Sequence, residues 1–117
     1  MQAGNNYEFD ISGEGESSYA KVNLYSFSNG VKFSIKPDKN YIITKDIDLK
    51  IYLSTRFSEP NEHNFEKIIE NKFVFTYQDN SNLSESRPHF LYLGFTSKNG
   101  LNFIVKPAQL EKKTLKP

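Results

Sequence analysis

The sequence predicts one all-β domain, a two-sheet antiparallel β-sandwich of the transthyretin-like or immunoglobulin-like sort, with seven or eight strands and one short helix near residues 60–70. Three observations carry that expectation. Apolar and polar residues alternate with period two through most of the chain, which is the period of a strand with one buried face. Turn signals built from Gly, Pro, Asn and Asp punctuate the alternation at short intervals. Finally, 10 Phe and 7 Tyr supply much of the apolar volume in 117 residues, a length suited to one core, and large rings fit the inner faces of twisted sheets.

Taken in order, Tyr7, Phe9 and Ile11 alternate with Glu8 and Asp10 until the small, polar, glycine-bearing run Gly13 to Ser18 ends the first strand. In residues 19–27, Ala20, Val22 and Leu24 point one way while Lys21, Asn23 and Tyr25 point the other. Asn29-Gly30 then predicts a two-residue hairpin turn, with Val31, Phe33 and Ile35 returning beside the strand before it. Pro37-Asp38-Lys39-Asn40 marks another turn, and a short run at Tyr41 to Thr44 leads into the clearest alternation, Ile47, Leu49, Ile51 and Leu53 against Asp48, Lys50, Tyr52 and Ser54. Beyond Arg56 the rhythm changes. Phe65, Ile68 and Ile69 fall at i, i+3 and i+4, with Ser58 and Asn61 available as caps around Pro60, which predicts the helix; the alternative is an irregular crossover whose last part, Ile68 to Asn71, already belongs to the next strand. Phe73, Phe75 and Tyr77 restore period two, and Gln78 to Pro88 form a long polar loop of a kind that often carries function. Phe90 to Thr96 is apolar on both faces, as a central strand covered on each side would be, and Asn99-Gly100 signals a second hairpin into Leu101, Phe103 and Val105. Residues 1–6 read as a disordered start, 7–106 as the sandwich, and 107–117 as a basic, loosely ordered tail in which Leu110 and Leu115 are positioned to dock.

Composition excludes several functions. Fifteen basic and 14 acidic side chains leave a formal charge of +1, too little for a broad field that would hold nucleic acid or an anionic bilayer. The asymmetry is local: Glu8, Asp10, Glu14 and Glu16 load the start, and Lys106, Lys112, Lys113 and Lys116 outweigh Glu111 at the end, a pattern common in plain solvated chain. No cysteine is present, so disulfides, thiolate metal sites and a Cys nucleophile are ruled out within this stretch. No apolar run approaches the roughly 20 residues needed to cross a bilayer as a helix.

The chain offers little reactive chemistry. Its 2 histidines, His63 and His89, fall on different elements without the spacing of a metal pair, and no serine occupies a G-x-S-x-G turn. Glu8 with Asp10 and Asp46 with Asp48 each place two carboxylates on one strand face, roughly 7 Å apart, but Lys45 and Lys50 beside the second pair favour an ordinary solvated face. Gly13-Glu14-Gly15 lacks the third glycine, helix and lysine of a nucleotide loop and reads as a turn. No catalytic residue, metal or cofactor is expected. The more informative surplus is aromatic: Tyr25 and Tyr52 fall on presumed solvent faces, with Phe90, Tyr92 and Phe95 as candidates beside them. Tyr25, Tyr52 and Tyr92 together make a candidate binding patch, against the plainer reading that cross-strand rings merely cover an exposed sheet.

Two stretches resemble a known family. Ala20-Lys21-Val22-Asn23-Leu24-Tyr25-Ser26-Phe27 is similar to the V-x-R-x-Y-x-L second strand, and Phe90-Leu91-Tyr92-Leu93-Gly94-Phe95 to the late glycine-bearing strand, of the outer-membrane lipoprotein of bacterial type VI secretion systems. Here Asn23 stands in place of the second-strand arginine, and Ser12 to Ser18 replaces an Asn-Pro-bearing loop. The resemblance implies a transthyretin-like sandwich on the periplasmic face of the outer membrane, touching the membrane only through a lipid anchor on a cysteine upstream of Gln2, outside this chain. It also implies an adaptor that binds a protein partner of an envelope complex through the loop Ser12, Gly13, Glu14, Gly15, Glu16, Ser17 and Ser18. The expected function is therefore non-catalytic protein binding, with a carbohydrate-binding or adhesion module using the tyrosines as the alternative.

Overall fold

A computed structural model describes residues 1–11, 16–27, 30–37, 48–78, 89–98 and 100–110. Wherever the sequence alternates, the structure buries the apolar half. Within the described residues lie strands β1 (Tyr7–Ile11), β2 (Ser17–Asn23), β3 (Val31–Pro37), β4 (Lys50–Ser54), β5 (Lys67–Glu70), β6 (Val74–Tyr77), β7 (Phe90–Thr96) and β8 (Leu101–Gln109). They form two four-stranded antiparallel sheets, β1-β8-β3-β6 (sheet I) and β2-β7-β4-β5 (sheet II). Val31, Phe33, Ile35, Leu101, Phe103 and Val105 of sheet I meet Val22, Ile51, Leu53, Leu91, Leu93 and Phe95 of sheet II in one core, all 6% exposed or less. The antiparallel two-sheet sandwich is thus present, and β7 is the central strand its two-sided apolar pattern predicts.

The connectivity departs from the immunoglobulin-like sort expected, in which several consecutive strands pair within a sheet. Every link between consecutive strands crosses from one sheet to the other except β4 to β5, an arrangement of eight strands that matches a jelly roll. That connectivity corrects both hairpins. Gly30 and Gly100 do adopt positive φ, at +103° and +76°, as Asn-Gly signals require, but β2 pairs with β7 and β3 with β8 and β6, so each glycine turns a corner between sheets. The corner at Gly30 is crowded, because a Cβ there would lie 2.7 Å from the carbonyl oxygen of Tyr77 and 2.8 Å from Leu110 Cδ1. Leu110, read as a residue of the tail, does dock: its N–H donates to the Gly30 carbonyl at 3.1 Å.

Other boundaries shift for local reasons. Asn23 Oδ1 accepts the N–H of Tyr25 at 3.0 Å, and this side-chain competitor ends β2 in a short 3-10 turn at Leu24–Ser26 where the alternation suggested strand to residue 27. The helix near 60–70 does not form. Asn61 uses its cap chemistry in a turn instead, Oδ1 accepting from the N–H groups of His63 (2.8 Å) and Asn64 (3.2 Å), and residues 67–70 are strand β5, as in the crossover alternative. Asn71, at φ +52°, stops β5 by exchanging two bonds with Leu49: its N–H donates to the Leu49 carbonyl and its Oδ1 accepts the Leu49 N–H, both at 2.8 Å. β8 continues to Gln109, past the boundary read at 106. Pro107 is tolerated there because β1 accompanies β8 only as far as Val105, so beyond it one side of β8 is an edge that needs no N–H. At the start, Gly4 donates its N–H to the Pro107 carbonyl at 2.8 Å and Met1 packs on the core, so residues 1–6 are placed against the sandwich.

Candidate binding surface

The outer face of sheet II is where the aromatic surplus collects. Register sets its rows: Tyr19, Gly94 and Tyr52 stand side by side across β2, β7 and β4, then Lys21, Tyr92 and Ser54, then Asn23 and Phe90. One half of the face is covered and the other is open, and the segment 55–66 that joins β4 to β5 makes the difference.

This segment lies over the sheet as a strap. Ser54 Oγ accepts the N–H groups of Arg56 (3.0 Å) and Phe57 (2.9 Å) and donates to Glu66 Oε1 at 2.9 Å. Glu66 Oε1 also takes the hydroxyl of Thr55 at 2.9 Å and the Thr55 N–H, so one carboxylate latches both ends of the strap. The carbonyl of Pro60 sits directly above Gly94, and the Phe65 ring lies 5.3 Å from that of Tyr52. Tyr52 is consequently only 6% exposed. Its assignment to a solvent-facing patch is corrected: the strand face is outward, but the strap covers it, and period two does not report what a neighbouring loop covers.

The Thr55 N–H does most to hold the Glu66 carboxyl below the usual range; burial, the next largest influence, opposes it, and the Ser54 and Thr55 hydroxyls and the Arg56 charge add to the lowering. A depressed folded-state pKa means that the latch stabilises the fold above the ordinary glutamate range and is lost as pH falls through the lowered value. Because Glu66 is largely exposed, Glu66→Gln is expected to cost only about 0.5–1 kcal/mol near pH 7 and less near pH 3. Urea midpoints of the two proteins at both pH values check this; a gap that persists undiminished in acid would show that the carboxylate is not the latch.

The open half is built around Tyr25, which is 51% exposed. The 3-10 turn lifts it off the strand, and its ring meets His89 edge-on at 4.5 Å. His89 packs on Phe90 at 4.3 Å, Phe90 lies 6.1 Å from Tyr92, and Lys21 Nζ stands 4.8 Å from the Phe90 ring centroid. A bond from the Leu24 N–H to the His89 carbonyl at 2.8 Å ties the two segments together. Of the predicted patch, then, Tyr25 and Tyr92 remain on this surface, whereas Tyr52 lies under the strap and Phe95 is fully buried in the core. Lys21 and His89 were missed, because Tyr25 and His89 are 64 positions apart and meet only through the β2-β7 pairing.

Among the described residues, the remaining candidates lie apart from this surface. His63 pairs with Glu62 at 3.3 Å on the strap, at the end of sheet II away from His89, and both side chains are exposed. Asp48 accepts the Lys98 N–H at 3.3 Å and, with Glu16, Ser17, Lys50 and His63, lines a groove of about 360 Å³ at that same end. Glu8 and Asp10 line a separate groove of about 630 Å³ on sheet I, beside Lys36 and Asn102. Among the described residues, no group of three or more His, Cys, Asp or Glu could hold a metal ion. Ser12, Gly13, Glu14 and Gly15 of the expected partner loop, Asp46, and residues 79–88 of the long polar loop lie outside the described residues. Of the remaining loop residues, Glu16 is exposed, Ser17 opens β2, and Ser18 donates its hydroxyl to the Asp10 carbonyl at 3.2 Å. Compared with known protein families, curated proteins and solved structures, the chain gives no match.

Proposed function

We propose that this chain is a non-catalytic binding domain whose ligand is another protein. The observation that carries the reading is the open aromatic end of sheet II, where Tyr25, His89, Phe90 and Tyr92 form a chain of ring contacts and Lys21 stands over Phe90. Tyrosine and phenylalanine flanked by a cation provide rigid apolar area at little side-chain entropy cost, which is what the centres of protein interfaces use. The carbohydrate alternative fits less well. A sugar ring stacks on a flat aromatic face, whereas these rings are mutually inclined by 67°, 43° and 40°, and the third tyrosine of the supposed platform is covered.

The placement of this adaptor in a bacterial envelope complex, and a role for Ser12 to Ser18 in partner contact, rest on the resemblance of residues 20–27 and 90–95 to the type VI secretion lipoprotein. Ser17 begins β2 at the end opposite Phe90, so a partner held by that loop would leave the aromatic end for a second contact.

A photo-crosslinking residue tests the reading in the native cells, placed at position 25 and, as control, at Lys32 on the outer face of sheet I. One discrete protein adduct from position 25 and none from position 32 is expected. A membrane-anchored envelope protein in that adduct supports the adaptor, and a cytosolic one removes the envelope placement. Equal labelling from both positions, or glycan binding abolished by Tyr25→Ala, would overturn protein binding through this face.

A further inference from the structure

Charge is distributed unevenly along sheet II. The strand ends at Ser17, Thr96 and Lys50 carry the groove lined by Glu16, Asp48 and Glu62, with Lys50 and Lys98 beside them. The opposite ends, at Asn23, Phe90 and Ser54, carry Lys21 on β2, Arg56 two residues beyond Ser54, and Lys67 paired with Leu53. At that end the Glu66 carboxylate is already occupied by the donors of Ser54 and Thr55. No carboxylate of the described residues lies within ion-pairing distance of Lys21 or Arg56.

Resting on the protein-binding reading, we infer that the aromatic end of sheet II takes an acidic segment of its partner, one that carries a carboxylate next to an apolar or aromatic side chain. The chemistry follows from the layout. Lys21 is exposed, and its Nζ is held over the Phe90 ring face by cation–π attraction, so the ammonium is fixed beside apolar surface and its remaining donors can meet a carboxylate. A ligand carboxylate there would lie next to the Tyr25 edge, where a neighbouring apolar group covers the ring. Arg56, exposed and two residues beyond the Ser54 that pairs with Tyr92, adds a second cation at this end of the sheet. A basic segment would meet Lys21, which has no salt-bridge partner among the described residues, and Arg56, whose charge acts on Glu66; repulsion at Lys21 sets the choice of partner.

Three labelled dodecapeptides of equal length test this: one of Asp, Glu, Phe and Leu, one with the acids replaced by Ser, and one with the acids replaced by Lys. Backbone amide shifts of the full chain are followed on titration with each. The acidic peptide is expected to move the resonances of Lys21, Tyr25 and Phe90, with affinity falling several-fold between low and physiological salt. Lys21→Glu is expected to weaken it about tenfold or more while thermal stability is kept, and Lys21→Ala by less. If the Ser peptide binds the same residues as tightly as the acidic one, the charge inference fails and protein binding survives. If none of the three peptides moves the patch, the patch is not a peptide site and both readings fall. Binding of anionic vesicles or of oligo-dT at Lys21 and Tyr25, in preference to the acidic peptide, would likewise overturn the inference.

Discussion

Phe95→Ala is expected to lower stability by about 3–5 kcal/mol, the largest loss of any single substitution argued for this chain. The ring is fully buried and forms an inter-sheet cluster. Phe95 comes from β7 in sheet II, and it touches Phe9 of β1 at 4.9 Å and Phe103 of β8 at 5.2 Å, both in sheet I, which stack on each other at 5.5 Å. Truncation removes contacts to both partners and leaves a void between two layers, each held by its own hydrogen-bond ladder, so neither can close the gap without breaking register. Against a total stability of roughly 5–15 kcal/mol for a domain of ordinary size, the variant would be marginal. A urea titration reads the effect as a shifted midpoint with unchanged slope. Phe9→Ala provides the contrast: its ring is half-buried on an edge strand and should cost clearly less. A loss at position 95 below about 1.5 kcal/mol would mean that this cluster does not join the sheets.

What the sequence made legible, and what it did not, follows from the range of the physics involved. Burial of Val22, Phe33, Ile51 and Phe103 is written in local alternation, because side chains two apart on a strand share a face whatever the partner. Partner choice is not local. Asn29-Gly30 and Asn99-Gly100 state that the backbone turns with positive φ; whether the next strand lies beside the last or across the core depends on inner faces throughout the chain, so a hairpin and a sheet-to-sheet corner share one signal. Strand β5 was obscured for a different reason. Ile69 faces the core, Ile68 is half-buried opposite Tyr52, and Phe65 lies on the strap against the same tyrosine, so covering both faces replaced period two with a spacing that imitates a helix. The binding surface was half legible: tyrosine content flagged Tyr25 and Tyr92, while the strap over Tyr52 and the meeting of Tyr25 with His89 are long-range outcomes.

Gly94→Ala is expected to destabilise the protein by about 1–3 kcal/mol, the reverse of the usual gain when a strand glycine acquires a methyl group. Its backbone is not in the positive-φ region, so conformation alone would permit alanine. Space does not. A Cβ at this position would lie 2.1 Å from the carbonyl oxygen of Pro60 and 3.2 Å from Tyr19 Cε1, and the nearer atom is backbone that no rotamer change can move. Relief requires lifting the strap, which uncovers Tyr52, or bending β7 out of its pairing with β2 and β4. Lifting the strap costs less, because breaking the central pairing of sheet II would disturb both neighbouring ladders. The substitution should therefore lower Tm by about 4–10 °C and abolish amide-exchange protection between residues 57 and 65 while leaving β7 protected. Replacing residues 57–64 by a short Gly-Ser turn in both backgrounds isolates the cause: without the strap, alanine at 94 should be tolerated. An equal penalty with and without the strap would show that Pro60 does not rest on Gly94, and the covering of Tyr52 would need another explanation.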